Sequence, residues 1–235
     1  MARDPIWRSI AATLQDELAQ GLYRPGDRLP TEAELAARFG VNRHTVRHGL
    51  APLIEAGLLH ARRGAGVFVA ARPTDYPLGT RVRFHQNVAA SGRTPSRRIT
   101  RLETRPARKD EAEALGLPPD AQVHVIEGIS LADDQPLAAF SSVFPADRFA
   151  GLLAAMADQN SVTAALAACG LTDYTRAETR MTAKLADALQ ANALRVQPGA
   201  PILRSVAVNV DAAGVAVEYG TTWFAGDRVT LTVNA

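Results

Sequence analysis

Between residues 114 and 229 the chain repeats itself, and a duplication of that length leaves few folds open. Ala114-Leu115-Gly116-Leu117-Pro118-Pro119-Asp120-Ala121-Gln122-Val123 parallels Ala193-Leu194-Arg195-Val196-Gln197-Pro198-Gly199-Ala200-Pro201-Ile202. Further on, Ser141-Ser142-Val143-Phe144-Pro145-Ala146-Asp147-Arg148-Phe149 parallels Thr221-Thr222-Trp223-Phe224-Ala225-Gly226-Asp227-Arg228-Val229. Each copy runs helix end, proline loop, strand, acidic turn, strand. The spacing predicts strands over 123–131 and 137–144 in one copy and over 202–210 and 215–224 in the other. Helices are expected near 110–116, 148–157, 161–169 and 183–194, with a last strand, Val229-Leu231-Val233, at a sheet edge. The fold class that follows is an α+β domain around an antiparallel sheet, built with pseudo-twofold symmetry. A cleft between the halves is its natural ligand site.

The first seventy residues follow a different period. Ile6, Ile10, Leu14 and Leu18 recur at helical spacing up to Gly21. Thr31 and Glu34 form a capping box that opens a second helix, which Gly40 closes. Only Val41-Asn42 separates it from a third helix carrying Val46, Leu50, Leu53 and Ile54. So tight a joint is the geometry of a helix-turn-helix. Beyond Gly57, two short apolar runs flank Arg62-Arg63-Gly64-Ala65-Gly66 and read as a β-hairpin wing. An N-terminal winged helix-turn-helix is therefore expected over 1–70, a linker over 71–80, and the α+β domain over 81–235. Gly49 and Pro52 lie inside the third helix, where proline removes a hydrogen bond and costs about 3 kcal/mol. A bend or fraying is expected there, between His48 and Pro52.

Charge separates the two parts. Residues 1–72 hold 10 Lys/Arg against 7 Asp/Glu and residues 73–110 hold 9 against 3, whereas 111–235 hold 7 against 14. A basic front suits a polyanion, and the start of the third helix shows how it would be read. Arg43, His44, Thr45 and Arg47 crowd its first turns, and an arginine fork matches O6 and N7 of guanine. Asn42, Thr31 and the helix N-termini suit phosphates. Gly64 and Gly66 let the wing backbone lie close to DNA, with Arg62 and Arg63 beside it.

Other functions find less support. Cys169 is the only cysteine, so disulfide frameworks and multi-cysteine metal sites are excluded. The histidines at 44, 48, 60, 85 and 124 lack metal-ligand spacing. There is no nucleophile elbow, HExxH or phosphate-binding P-loop, so no catalytic residue, metal or cofactor is expected. No apolar run reaches the ~18–20 residues of a membrane span, and the first residues carry no secretory stretch, so no membrane association and a cytoplasmic location are expected.

The motifs Leu29-Pro30-Thr31-Glu32, Val41-Asn42-Arg43-His44-Thr45-Val46-Arg47, Glu55-Ala56-Gly57-Leu58 and Arg63-Gly64-Ala65-Gly66-Val67-Phe68-Val69 resemble the DNA-binding domain of GntR-family transcription regulators. The resemblance implies a homodimer on a near-palindromic double-stranded operator. It implies DNA contacts from Thr31, Arg38, Arg43, His44, Thr45, Arg47 and Gly66. Val67 departs from it, standing where the family has threonine. In the back half, Ala132-Asp133-Asp134-Gln135-Pro136-Leu137, Pro198-Gly199-Ala200-Pro201, Val217-Glu218-Tyr219-Gly220-Thr221-Thr222 and Gly226-Asp227-Arg228 resemble the UTRA effector domain of the HutC-type branch. That domain has the chorismate-lyase fold, so an enzyme of that fold is the alternative, as is a sequence-blind architectural DNA binder. Arg176, Thr179 and Thr182 with the closing motifs are most similar to phosphonate-utilisation regulators. Sugar-phosphate-responsive members carry Arg-x-Arg where this chain has Gly128 and Ser130.

A small anionic effector needs several donors, because an unsatisfied buried charge is costly. The candidates are Arg83, Ser91 and Thr94 from the basic approach, Ser142 from one repeat, and Arg180, Glu218 and Tyr219 from the other. Strand alternation puts Glu218 and Thr222 on one face and Tyr219 on the opposite one. The reading as a whole is a ligand-responsive, sequence-specific DNA-binding regulator, a repressor by preference.

Overall fold

The computed structural model describes residues 5–62, 64–70, 73–81, 84–158 and 161–233, in two units, Met1–Arg72 and Pro73–Ala235. The first holds α1 (Ile6–Ala19), α2 (Glu32–Phe39), α3 (Arg43–Glu55) and an antiparallel hairpin of β1 (Leu59–Arg62) and β2 (Gly66–Val69). Apolar residues at helical spacing supply its core, in which Ile10, Leu14, Leu35, Val46, Leu50 and Leu59 are buried together. Each such side chain contributes about 1.5–3 kcal/mol. A third extended segment flanks the hairpin, with Leu29 N bonding to Val67 O at 2.9 Å and Val69 N to Asp27 O at 2.9 Å. The wing is thereby fastened to the residues that lead into α2.

The expected fraying of α3 does not occur. The helix continues through Pro52 to Glu55 with Leu50 and Leu53 buried, and Ala56 N bonds back to Pro52 O at 2.9 Å. Pro52 sacrifices one amide bond, and burial of the flanking leucines outweighs that loss. Gly49 has a packing role, since a Cβ there would lie 3.0 Å from both Ile10 Cγ2 and the Trp7 carbonyl oxygen. Its absence lets α1 and α3 approach closely. At the preceding position the His48 ring stacks on Trp7 at 4.4 Å.

The second unit opens with β3 (Thr74–Pro77) and α4 (Phe84–Ala90), followed by two copies of one motif. The first copy is β4 (Pro95–Pro106), α5 (Lys109–Leu115), β5 (Gln122–Ala132) and β6 (Gln135–Pro145). Next come α6 (Leu152–Asp158) and α7 (Val162–Ala168). The second copy is β7 (Thr175–Leu185), α8 (Ala188–Leu194), β8 (Pro201–Val210) and β9 (Ala216–Ala225), and β10 (Val229–Thr232) ends the unit. The six long strands form one antiparallel sheet in the order β4-β5-β6-β9-β8-β7, so the copies meet at the β6–β9 pair. The offset that carries Ala114 to Ala193 also carries α5 onto α8, and left-handed Gly116 onto left-handed Arg195. One sheet face packs on α5 and α8 through Leu115, Val143, Leu194 and Ile202. The other packs on α4, α6 and α7 through Phe84, Val88, Phe149, Leu152 and Leu166.

Three expectations are corrected here. The stretch read as a linker, 71–80, contains β3, which pairs in parallel with β10 and buries Thr74 and Tyr76. That pairing also removes 229–233 from the edge of the main sheet, because β10 bonds to β3 instead. The helix expected over 183–194 begins only at Ala188, where Asp187 accepts from Gln190 N at 2.8 Å and caps it; residues up to Leu185 belong to β7. The outer strands β4 and β7 have no counterpart in the sequence reading.

Candidate nucleic-acid interface and ligand cavity

In the first unit, side chains fix two helix starts at the joint. Thr31 Oγ1 accepts from Glu34 N at 3.3 Å while Glu34 Oε2 accepts from Thr31 N at 2.6 Å, closing the capping box. Asn42 Oδ1 accepts from Thr45 N at 2.9 Å and from Thr45 Oγ1 at 3.0 Å. The side chains of Thr31, Asn42 and Thr45 are thus occupied in capping, which takes the N–H groups of Glu34 and Thr45 and leaves those of Glu32, Ala33, Arg43 and His44 to face an anion.

The arginines differ in commitment. Arg43 is exposed and makes no hydrogen bond among the described residues; exposed His44 follows it. Arg47 grips Glu32 with both nitrogens, Nε to Oε1 at 3.0 Å and Nη2 to Oε2 at 2.7 Å. That bond holds the Glu32 carboxyl below the usual carboxylate range and raises the Arg47 guanidinium. Arg38 pairs with Glu17 on α1 and lies 5.0 Å from the Phe39 ring. Arg38 therefore ties α2 to α1, a structural duty that explains its presence without DNA.

A cleft of about 380 Å³ runs between the start of α2, the start of α3 and the wing, lined by Arg28, Thr31, Arg43, Gly64 and Gly66. Gly64 and Gly66 have φ of 74° and 111°, the left-handed region that glycine tolerates. A Cβ on Gly66 would approach Arg28 Nε to 2.8 Å. Arg28 was not among the sequence candidates; its place directly before Leu29-Pro30-Thr31 was the available signal. Arg63 lies outside the described residues, as does the side chain of Arg62.

In the second unit a cavity of about 370 Å³ opens on the α4–α7 face of the sheet. Its floor is polar where a sheet face would ordinarily be packed: Ser130, Ser142, Ser205 and Asn209 are each at most 7 % exposed. The three serine hydroxyls make no hydrogen bond among the described residues, an arrangement that folding alone does not favour. Arg97 from β4 and Arg176 from β7 enter from opposite sheet edges. They are equivalents under the internal repeat, as are Ser130 and Asn209, each facing its own arginine across one strand pair.

The two arginines have unlike surroundings. Arg176 Nε donates to Asn209 Oδ1 at 3.4 Å, and Asn209 Nδ2 donates to Glu218 Oε2 at 2.6 Å. Arg97 lies over two ring faces, Phe140 at 4.6 Å and Phe84 at 5.6 Å, it makes no ion pair among the described residues, and its buried Nε has no hydrogen-bond partner. Burial pulls this guanidinium below its ordinary range, yet arginine keeps its proton. Burial also pushes the Tyr76 phenol up to about 12, so the cavity keeps a neutral hydroxyl there. Burial and the Arg97 charge together lower His85.

Of the effector candidates, Ser142 and Glu218 line this cavity. Ser91, Thr94, Arg180 and Tyr219 do not. Ser91 Oγ donates to Val88 O at 2.7 Å at the end of α4, and Thr94 N donates to Asp133 Oδ1 at 2.9 Å beside the β5–β6 turn. Arg180 is exposed and pairs with Glu178 at 2.7 Å. Tyr219 faces the opposite side, packed with Leu115 and Val143 beneath α5, as alternation requires. Arg83 lies outside the described residues. Arg97 and Arg176, which do line the cavity, were not among the sequence candidates. Extending the repeat back from Ala114 and Ala193 superposes them, and that was the signal.

A winged helix-turn-helix joined to a domain with a polar, ligand-sized cavity defines a ligand-sensing DNA-binding regulator. The comparisons agree. Residues 7–69 match the bacterial regulatory proteins of the gntR family and residues 90–230 match the UTRA domain. An uncharacterized HTH-type transcriptional regulator of Rhizobium meliloti (strain 1021) is 38% identical over 229 residues, 97% of this chain and 94% of the relative. The HTH-type transcriptional repressor NagR of Bacillus subtilis (strain 168) is 30% identical, over 97% of this chain and 93% of its own. The crystal structure of PhnF from Mycobacterium smegmatis aligns with a TM-score of 0.66 at 28% identity, covering 96% of this chain and 98% of that one. The chain belongs to the GntR family of bacterial regulatory proteins, in its UTRA-domain branch. Its relatives and structural neighbours are transcriptional regulators, not enzymes. Among the described residues, no helix is long and apolar enough to cross a membrane.

Proposed function

We propose that this regulator is a dimeric repressor, released from a near-palindromic operator by a small anionic metabolite, a phosphonate or a phosphate ester. The observation that carries the reading is the Arg97 guanidinium, whose buried Nε lacks any acceptor while serine hydroxyls stand free on the same cavity floor. A cation kept in that state is costly unless a ligand supplies the anion. The repressor role is supported by relatives named as repressors, NagR among them. Near one end of the operator-binding unit, Arg43 supplies the base-reading fork and Arg28 with the wing glycines holds the backbone.

Coupling has a short route. After Val69 at the end of the wing, the chain enters β3 at Thr74, and Tyr76 of that strand lines the cavity. An occupant that fixes Tyr76 therefore acts on the segment leaving the winged unit. Such couplings are worth about 1–3 kcal/mol, or roughly 5–150-fold in operator affinity.

The experiment selects duplexes from a random pool with the full-length protein, then titrates the enriched sequence with inorganic phosphate and ethylphosphonate. Enrichment of a palindrome and its release by one of these anions are expected. Equal affinity for all duplexes would replace a repressor with a sequence-blind binder, and an enriched duplex indifferent to both anions would remove the anion.

A further inference from the structure

The cavity has two poles, and its charges do not suit a simple anion. Arg97 and Arg176 bring two positive charges and Glu218 brings one negative charge. Glu218 is spoken for on one side only: Oε2 accepts from Asn209 Nδ2 at 2.6 Å, and Oε1 has no hydrogen bond among the described residues. Glu218 forms no ion pair with Arg97, although it lies near enough to act on that guanidinium electrostatically. An anion seated at Arg97 alone would leave the free Glu218 oxygen facing the ligand without a donor. A half-buried carboxylate oxygen in that position repels an anion and attracts a cation.

Building on the reading of Arg97 as an anion receptor, we infer that the occupant is zwitterionic: a phosphonate or phosphate-monoester headgroup at Arg97, joined by a short chain to a primary ammonium group at Glu218. The headgroup carries close to two negative charges and the ammonium one positive charge. Their sum of minus one offsets the net plus one of the cavity, which a zwitterion with a single carboxylate would not do. The internal repeat creates the polarity. Asn209 passes its Arg176 contact on to Glu218, whereas the equivalent Ser130 leaves Arg97 open. Ala138 stands across from Ser130, so the first half has no carboxylate at that level.

The test uses matched ligands on the full-length protein by calorimetric titration: ethylphosphonate, 2-aminoethylphosphonate and O-phosphoethanolamine. The two amines are expected to bind at least about tenfold more tightly than ethylphosphonate, the effect of one charge-assisted hydrogen bond. The better of the two identifies the headgroup as P–C or P–O linked. Glu218→Gln is expected to erase the gap by weakening the amines alone, and unfolding without ligand reports whether that variant stays folded. Equal binding of ethylphosphonate and the amines to the unaltered protein overturns the inference while leaving the anion site standing. So does an equal loss for all three ligands in a folded Glu218→Gln. Failure of every ligand to bind removes the anion site and the inference with it.

Discussion

Arg47 is joined to the Glu32 carboxylate by two hydrogen bonds, Nε to Oε1 and Nη2 to Oε2, that link the third helix to the second. One of the two arginines at the head of the recognition helix is therefore occupied and the other, Arg43, is open. The pair sets the spacing of the helices, and it also places a carboxylate beside the surface that would meet phosphates.

Removing that carboxylate should strengthen DNA binding indiscriminately. In Glu32→Gln the freed Arg47 gains access to the backbone. The slope of log affinity against log salt is expected to steepen by about 1 for every duplex tested. Anisotropy titrations at several salt concentrations measure this, and an unchanged slope would show that Arg47 already reaches DNA or never does.

Arg43→Ala should behave differently. It is expected to lose about 1–3 kcal/mol on the selected operator and to relax preference at one base pair, while random duplex is held nearly as before. Arg28→Ala, at the wing, should weaken both kinds of duplex alike. Competition binding with single-base operator variants separates the two patterns.

Gly49→Ala tests the α1–α3 crossing. Alanine gains about 1 kcal/mol in helix propensity, but its methyl meets a backbone carbonyl and Ile10 at 3.0 Å. Overpacking costs typically about 1–3 kcal/mol, so a net loss is expected in thermal unfolding. An increase in melting temperature would mean that α1 shifts freely.

Arg97→Met should stabilise the ligand-free protein while abolishing its response to anions. Methionine fits between Phe84 and Phe140, and replacing an uncompensated buried charge by an apolar side chain is worth about 1–4 kcal/mol where packing is preserved. Thermal unfolding with and without phosphate gives both readouts. A lower ligand-free melting temperature would show that Arg97 holds the fold together.

Acid should act on the second unit through Glu111. Burial raises its carboxyl, but hydrogen bonds from Arg105 at 2.6 and 2.7 Å and from Arg108 N at 2.8 Å outweigh that and hold it below the usual range. A depressed carboxyl stabilises the fold above its unfolded value, about 4.3, and loses that contribution as pH falls through the folded one. Glu111→Gln should melt earlier at neutral pH, with the difference shrinking in acid. Parallel curves at pH 7 and in acid would exclude this role.

The sequence made some of this architecture legible and hid the rest for physical reasons. The inner hairpins show because the second copy alternates clearly and the first copy repeats its motifs, and the helix starts show because Thr31 and Asn42 have the chemistry of caps. The outer strands were hidden. β4 and β7 carry Arg97, Arg98, Arg101, Glu103, Glu178, Arg180 and Lys184, the charges that edge strands use against further pairing, and no apolar alternation remains to be read. The cavity was half visible for the same reason. Ser142 and Glu218 sit on inner strands, whereas Arg97 is one of a string of edge arginines until pairing across from Ser130 singles it out. Tyr219 illustrates the converse: its motif attracted attention, but the pleat turns it away.

Because both halves of the sheet lie on one polypeptide, a substitution in either is made once. In a true homodimer every change at a twofold cleft appears twice, and the site stays symmetric whatever it binds. Duplication within the chain lifts that restraint: serine at 130 and asparagine at 209 can diverge, and the two ends of the cavity can be fitted to different chemical groups one at a time.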